Sequence, residues 1–217
     1  VRLIRRFAAA FALAPLLASP AFAGDETAIQ NVRDLYAAFS SAVKDGAGPL
    51  PARVEAVSPV IDKVFDFPVM ARIAIGSKWS GFTPEQQEAV TKALKRSLTV
   101  TYANRLSQAA GGKFEVTPKV EARGSQRVVP TKVTTANDDD SAVDFVVNAE
   151  DKVQDVLLNG DVSEMAAQRT MLSKPLASGG ADGVVKFLND RAEGMLAPKD
   201  APKAAPAAKP APAKAGQ

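Results

Sequence analysis

The apolar residues of this chain change their spacing twice, and that change limits the possible fold more than any other feature. From Glu26 to about Ala110 they recur every three or four residues. From Lys113 to Leu158 they alternate with polar residues, and from Asp161 the longer step returns. The first pattern marks a helix with one buried face, and the second a strand with one buried face. The order is helices, then four consecutive strands, then helices.

The first helix is predicted over Glu26–Lys44, with Ile29, Val32, Tyr36, Phe39 and Val43 on one face. A shorter helical stretch includes Arg53–Val57. Pro59 is placed at the first turn of another, carrying Val60, Ile61, Val64 and Phe65, because a proline is tolerated at that position. Asp66-Phe67-Pro68 breaks the chain, and Val69–Ile75 forms one more short helix closed by Gly76. Thr83-Pro84-Glu85-Gln86 is a helix start in full: Thr83 caps, Pro84 fits the first turn, and Gln86 completes a capping box. That helix is predicted to run to about Ala110, with Val90, Leu94, Leu98, Tyr102 and Leu106 along one face.

Strands are predicted over Lys113–Ala122, Arg127–Thr135, Ser141–Ala149 and Lys152–Leu158. Pro118 and Pro130 imply edges or bulges, since proline cannot donate to a ladder. Asn137-Asp138-Asp139-Asp140 and Glu150-Asp151 read as turns. Such short connections make an antiparallel meander, and a meander with one greasy face needs helices over it. The expected fold class is α+β: a four-stranded antiparallel sheet covered by N-terminal and C-terminal helices. One closing helix starts at Asp161 or Ser163, and the other at Asp182.

The two ends of the chain are different. Arg2, Arg5 and Arg6 precede an apolar run from Phe7 to Leu17, and Ala21-Phe22-Ala23 offers a small-x-small cleavage site. Residues 1–23 therefore read as a secretory signal peptide, cleaved after Ala23, and the expected compartment is a bacterial periplasm. Residues 197–217 are almost wholly Ala, Pro and Lys, a composition that buries no core and reads as a disordered tail. The domain between them is 24–196. Setting aside the three Arg of the leader, and the four Lys and one Asp of the tail, leaves 20 basic and 23 acidic residues. The core domain is thus mildly acidic and gives no reason to expect nucleic acid.

The chain has no Cys and no His. It has no disulfide to rely on, lacks the usual zinc and copper ligands, and lacks the bases that activate Ser or Cys nucleophiles. No metal, cofactor or catalytic residue is expected. The inward sheet residues are mostly Val, which leaves room for a cavity against the helices. The candidate wall is Phe65, Val69, Ile73, Leu94, Leu98, Tyr102, Val116, Val120, Val129, Val133, Val143, Phe145 and Val147. Two alternatives stay open: an ordinary filled core in an envelope scaffold, and an enzyme acting on an apolar substrate through Asp155, Asp66 or Tyr102.

One family resembles this arrangement. Phe67-Pro68-Val69-Met70-Ala71-Arg72-Ile73-Ala74-Ile75-Gly76-Ser77-Lys78-Trp79 is followed by Thr83-Pro84-Glu85-Gln86-Gln87 and by Tyr102-Ala103-Asn104-Arg105-Leu106. Further on come Asp155-Val156-Leu157-Leu158-Asn159-Gly160-Asp161-Val162-Ser163 and then Arg169. In order and spacing these are similar to the MlaC, or toluene-tolerance, family from about Glu26 to Leu196. The junction Asn159–Arg169 is one residue longer than in the phospholipid carriers and looks more like the HpnM branch, encoded with hopanoid biosynthesis. The family's Gly-Trp-Lys-Val-Tyr-Asp-Val reads Glu150-Asp151-Lys152-Val153-Gln154-Asp155-Val156 here, with both aromatics replaced. The resemblance implies an NTF2-like fold and a periplasmic lipid carrier for phospholipid or a hopanoid-type lipid. The implied partners are an inner-membrane MCE-domain ABC transporter and an outer-membrane lipoprotein complex.

Overall fold

The computed structural model describes residues 23–46 and 48–197. Apart from Ala23 and Ala197, the expected signal peptide and tail lie outside the described residues. Among those described, no helix is long and apolar enough to cross a membrane.

Among the described residues, five helices and seven strand segments build the domain. Helix α1 spans Ala23–Ala42, α2 Leu50–Val64, α3 Phe67–Ile75, α4 Pro84–Arg105 and α5 Glu164–Leu196. The strands are β1 Lys113–Val116, β2 Glu121–Arg123, β3 Gln126–Val129, β4 Thr131–Thr134, β5 Asp140–Val147, β6 Val153–Leu158 and β7 Val162–Ser163. Short 3-10 turns at Gly76–Gly81 and Leu106–Gln108 follow α3 and α4.

The seven segments follow a four-stranded meander. β1 pairs with β4 and β2 with β3, both antiparallel, so each predicted strand of this hairpin is split once. The splits fall at Pro118 and Pro130, where the missing N–H interrupts the ladder. Four residues, 117–120, lie opposite the two residues Val129 and Pro130, and the Thr117 N–H reaches the Pro130 carbonyl at 3.0 Å. β5 then pairs with β3 and β4 along one edge and with β6 along the other. β7, absent from the sequence reading, adds two residues beside β6. Its alternation is too short to show in the sequence.

The helical layer departs from expectation in several places. Pro59 sits inside α2 and does not open a new helix. The carbonyl it deprives of a partner belongs to Glu55, an exposed residue on the solvent side of α2. α4 ends at Arg105 and finishes as a 3-10 turn, short of Ala110. The two closing helices are two arms of α5 that meet at Gly180, whose φ of 58° and ψ of −141° only glycine adopts freely. α3 also starts at Phe67 and not at Val69, because Asp66, read as part of a chain break, caps it. Other expectations hold: Gly76 ends α3 with φ 69°, and Thr83 and Gln86 make both halves of the capping box.

One apolar core joins the helices to one face of the sheet. It takes Ile29, Val32, Leu35, Tyr36 and Phe39 from α1, and Val57, Ile61 and Val64 from α2. Leu94, Leu98 and Tyr102 come from α4, Phe145 and Val147 from β5, and Leu172, Val184 and Leu188 from α5. The opposite face of the sheet holds a small second cluster of Val128, Val146 and Leu157. At its edge Asp144 is buried and accepts from the Thr131 N–H at 3.0 Å and Arg123 Nη1 at 2.6 Å.

The kink in α5 depends on a second glycine. Residues eight apart lie about 12 Å apart along a straight helix. Here a Cβ placed on Gly183 would stand 2.5 Å from the Pro175 carbonyl oxygen, so the two arms turn sharply back at Gly180 and touch there. Gly183→Ala is expected to destabilise the domain by about 1–3 kcal/mol, read as a lower urea midpoint with unchanged slope. An unchanged midpoint would show that the arms separate at no cost.

Candidate functional site

Between the sheet and the C-terminal half of α4 lies a cavity of about 150 Å³. Its wall is Tyr36 and Phe39 of α1, Phe65 at the end of α2, Tyr102, Arg105, Leu106 and Ala109 at the end of α4, and Phe114, Val133, Val143, Phe145, Val156 and Leu158 of the sheet. Phe65, Tyr36 and Phe145 are buried and form its floor. Phe114, Val133, Val143 and Leu158 are only half-buried and stand at its mouth.

Aromatic contacts hold the floor in place. Tyr36 lies 4.9 Å from Phe114 and 5.7 Å from Phe145, ring centre to ring centre. Phe65 lies 5.7 Å from Tyr102 and 6.5 Å from Phe145. Phe65 is fixed by backbone as well: it forms a parallel bridge with Val153, and the next N–H, of Asp66, donates to the Val153 carbonyl at 2.8 Å. Arg53 ties α2 to the end of α4, its Nε donating to the Ala103 carbonyl at 2.8 Å.

Three residues with polar groups belong to this wall, although its surface is almost wholly apolar. The Tyr36 hydroxyl is paired with Thr131 Oγ1 at 2.6 Å, and Thr131 Oγ1 in turn donates to the Val143 carbonyl. The Tyr102 hydroxyl is buried with no hydrogen-bond partner. Arg105 is the one charged residue of the wall. Burial pushes both phenols well above the ordinary tyrosine range. For Tyr102 the Glu164 carboxylate adds to the effect and Arg105 opposes it, and for Tyr36 Asp144 adds and Thr131 opposes.

Of the thirteen residues proposed from sequence, Phe65, Tyr102, Val133, Val143 and Phe145 stand in this wall. Leu94 and Leu98 lie on the same face of α4 but are sealed in the core, as are Val129 and Val147 on the sheet. Leu94 is about 12 Å along the helix axis from Tyr102, too far to reach a cavity at the helix end. Ile73, Val116 and Val120 pack on the margin of the core, and Val69 is half-buried on α3. Tyr36, Phe39, Phe114 and Leu106 were legible as members of apolar faces and were not selected. Arg105 and Ala109 carried no apolar signal.

The two carboxylates considered as catalytic bases are engaged in the fold. Asp66 accepts from the Val69 N–H at 3.1 Å and from Asn148 Nδ2 at 2.8 Å. Asp155 accepts from the Met165 and Val156 N–H groups and from Ser163 Oγ, joining β6 to the start of α5. Asp151, at the position of the family's tryptophan, has φ 59° and pairs with Arg127 at 2.9 Å, which also bonds Asp25. Arg169 donates to the Ile73 carbonyl and so closes the end of α3. Among the described residues no group of three or more His, Cys, Asp or Glu is placed to hold a metal ion.

A family model described as MlaC protein matches residues 30–190. The chain belongs to the MlaC family. Among solved structures it is similar to the phospholipid-binding protein from Ralstonia solanacearum, determined in complex with a phospholipid. The TM-score is 0.65 at 25% identity, over 79% of this chain and 98% of that one. A search of curated proteins finds no match. The MlaC fold thus accounts for the helix–meander–helix order, and the cavity lies between its two layers.

The protein has only two tyrosines, both in the cavity wall and both with raised phenol pKa values. An unfolded tyrosine ionises near 10, so above that pH the unfolded chain loses protons that the folded one keeps, and stability falls. Alkaline titration followed at the phenolate absorbance band is expected to show no ionisation around pH 10, then release of both tyrosines together as the protein unfolds. A reversible step near pH 10 in folded protein would place at least one phenol in water.

Proposed function

We propose that this protein is a periplasmic lipid carrier that holds lipid tails in the cavity between α4 and the sheet. The observation that carries this reading is the cavity itself: apolar, open at one end and walled by aromatic and Val side chains. A lipid cannot cross an aqueous compartment alone, because each exposed methylene costs about 0.8 kcal/mol. A carrier therefore needs a dry wall and no reactive group.

Membership of the MlaC family and the likeness to a phospholipid-bound relative support the same reading. The system served is proposed to be an MCE-type ABC transporter, and the cargo a phospholipid or a hopanoid-type lipid. The longer junction at Asn159–Arg169 is the reason to keep the hopanoid class in view.

A cavity of about 150 Å³ is of the size that holds one benzene ring. Loading whole acyl chains thus requires the helical layer and the sheet to part. The opening falls at the mouth, where the 3-10 turn Leu106–Gln108 faces half-buried Phe114, Val133 and Leu158.

Native mass spectrometry of detergent-free protein is expected to show a lipid-sized adduct. Val133→Glu, at the mouth, is expected to remove it, because a carboxylate there must be desolvated by the entering chain. Ala177→Glu, at an exposed position of α5 outside the cavity wall, is expected to leave loading unchanged. Protein that stays free of lipid even after incubation with labelled vesicles would rule the carrier reading out.

A further inference from the structure

From Phe67 to Pro84 the chain carries Arg72 and Lys78 and no acid, and from Met165 to Ala181 it carries Arg169 and Lys174 and no acid. The fold sets the two stretches side by side. Arg169 donates from Nε to the Ile73 carbonyl at 3.0 Å and stands beside Gly76, so the first arm of α5 lies against the end of α3. All four cations are exposed. Among the described residues none of them pairs with a carboxylate, whereas Lys63, Lys95, Arg96 and Lys186 on α2, α4 and the second arm of α5 all do. The acids that border the stretches are Asp66 and Glu164, both held in hydrogen bonds of the fold, and Glu85 and Asp182. A domain with more acids than bases thus keeps one acid-free face.

The 3-10 turn Gly76–Gly81 adds an aromatic side chain to this face. None of its residues is buried, and Trp79, the one tryptophan of the chain, stands half-buried beside Phe82 with ring centres 6.2 Å apart. The indole N–H has no acceptor among the described residues and is open to solvent. The turn itself is held: the Trp79 carbonyl accepts from the Phe82 N–H and from Gln87 Nε2, each at 3.1 Å. An apolar ring with a wet polar edge, among cations that have no counter-ion, is the composition favoured at a bilayer interface.

We infer that the face built by α3, the turn after it and the first arm of α5 is a docking surface for an anionic bilayer, with Arg72, Lys78 and Lys174 as its cations and Trp79 as its anchor. Gln87, to which Trp79 is tied, precedes Tyr102 by about 22 Å along α4. The docking face and the cavity therefore lie toward opposite ends of that helix. Docking here holds the protein at a membrane and leaves the mouth of the cavity free. The inference goes beyond the carrier reading and stands or falls apart from it.

The test adds full-length protein to vesicles of phosphatidylglycerol mixed into phosphatidylcholine, and to vesicles of phosphatidylcholine alone, both with brominated acyl chains. Bromine quenches tryptophan only at short range, and Trp79 is the one tryptophan, so quenching reports this face and no other. Wild-type protein is expected to be quenched by the mixed vesicles, hardly by phosphatidylcholine alone, and to recover at high salt. Arg72→Gln with Lys78→Gln and Lys174→Gln is expected to need about a hundredfold more lipid, since each cation at an anionic surface is worth about fivefold. That variant is expected still to give the lipid adduct in native mass spectrometry. Val133→Glu, which blocks loading of the cavity, is expected to be quenched as wild type is. Loss of quenching in Val133→Glu would show that bromine reached Trp79 from lipid inside the protein, and would overturn the docking face. Equal quenching by the two vesicles, or of wild type and the triple variant, would overturn it as well. So would vesicle binding that leaves Trp79 unquenched, the sign of attachment through the four tail lysines alone. A shift of Trp79 emission with poly-glutamate and none with vesicles would put an acidic protein in place of the membrane.

Discussion

Everything in this fold depends on aromatic side chains meeting across the gap between the helical layer and the sheet. Without cysteine the layers have no covalent tie, so packing alone must hold them. Tyr36 from α1 and Phe65 from the end of α2 meet Phe114 and Phe145 from the sheet, and Tyr102 from α4 packs behind Phe65, edge to face or tilted, at 4.9–6.5 Å. Rings at such distances are rigid props. The residues between them on the sheet are Val133, Val143 and Val156, whose side chains are too short to fill the space the rings hold open. The cavity follows from that mismatch in size.

Polar groups in the interior serve the joints of the frame. Asp66 starts α3 and Asp155 starts α5, each by accepting backbone N–H groups that a helix start leaves without partners. Arg53 and Arg169 do the reverse at the ends of α4 and α3, donating to carbonyls that have no partner in the helix. Arg127 bridges Asp25 and Asp151, so the first turn of α1 is tied to the turn between β5 and β6. Each charge has a structural counterpart next to it. Among the described residues three buried side-chain atoms have no such counterpart: the Tyr102 hydroxyl, Thr99 Oγ1 and Gln168 Oε1.

Much of the fold was legible in the sequence. Periodicity separates α1, α4 and the meander, and proline chemistry locates the breaks at Pro118 and Pro130. Pro59 misled, because local preference places a proline at a helix start, while the exposed position of Glu55 lets α2 absorb it. The strand β7 was invisible because two residues carry no period. The wall of the cavity was half legible. Val133, Val143 and Phe145 follow from alternation, and Tyr102 from the face of α4. The same face also nominates Leu94 and Leu98, and nothing local tells them from Tyr102. Their different fates depend on which turn of α4 lies against α5 and which lies over the sheet.

The amino-acid sequence by itself determined the order of helices and strands, the apolar face of each, the cap at Thr83, and the absence of thiol and imidazole chemistry. These follow from spacing and residue type within a few positions along the chain. Only the tertiary structure decided where the space lies, which face residues border it, and that Arg105 stands at its rim with Tyr102 unpartnered behind. Those properties come from contacts between residues far apart in sequence, and no local pattern encodes the size of the gap that two packed layers leave between them.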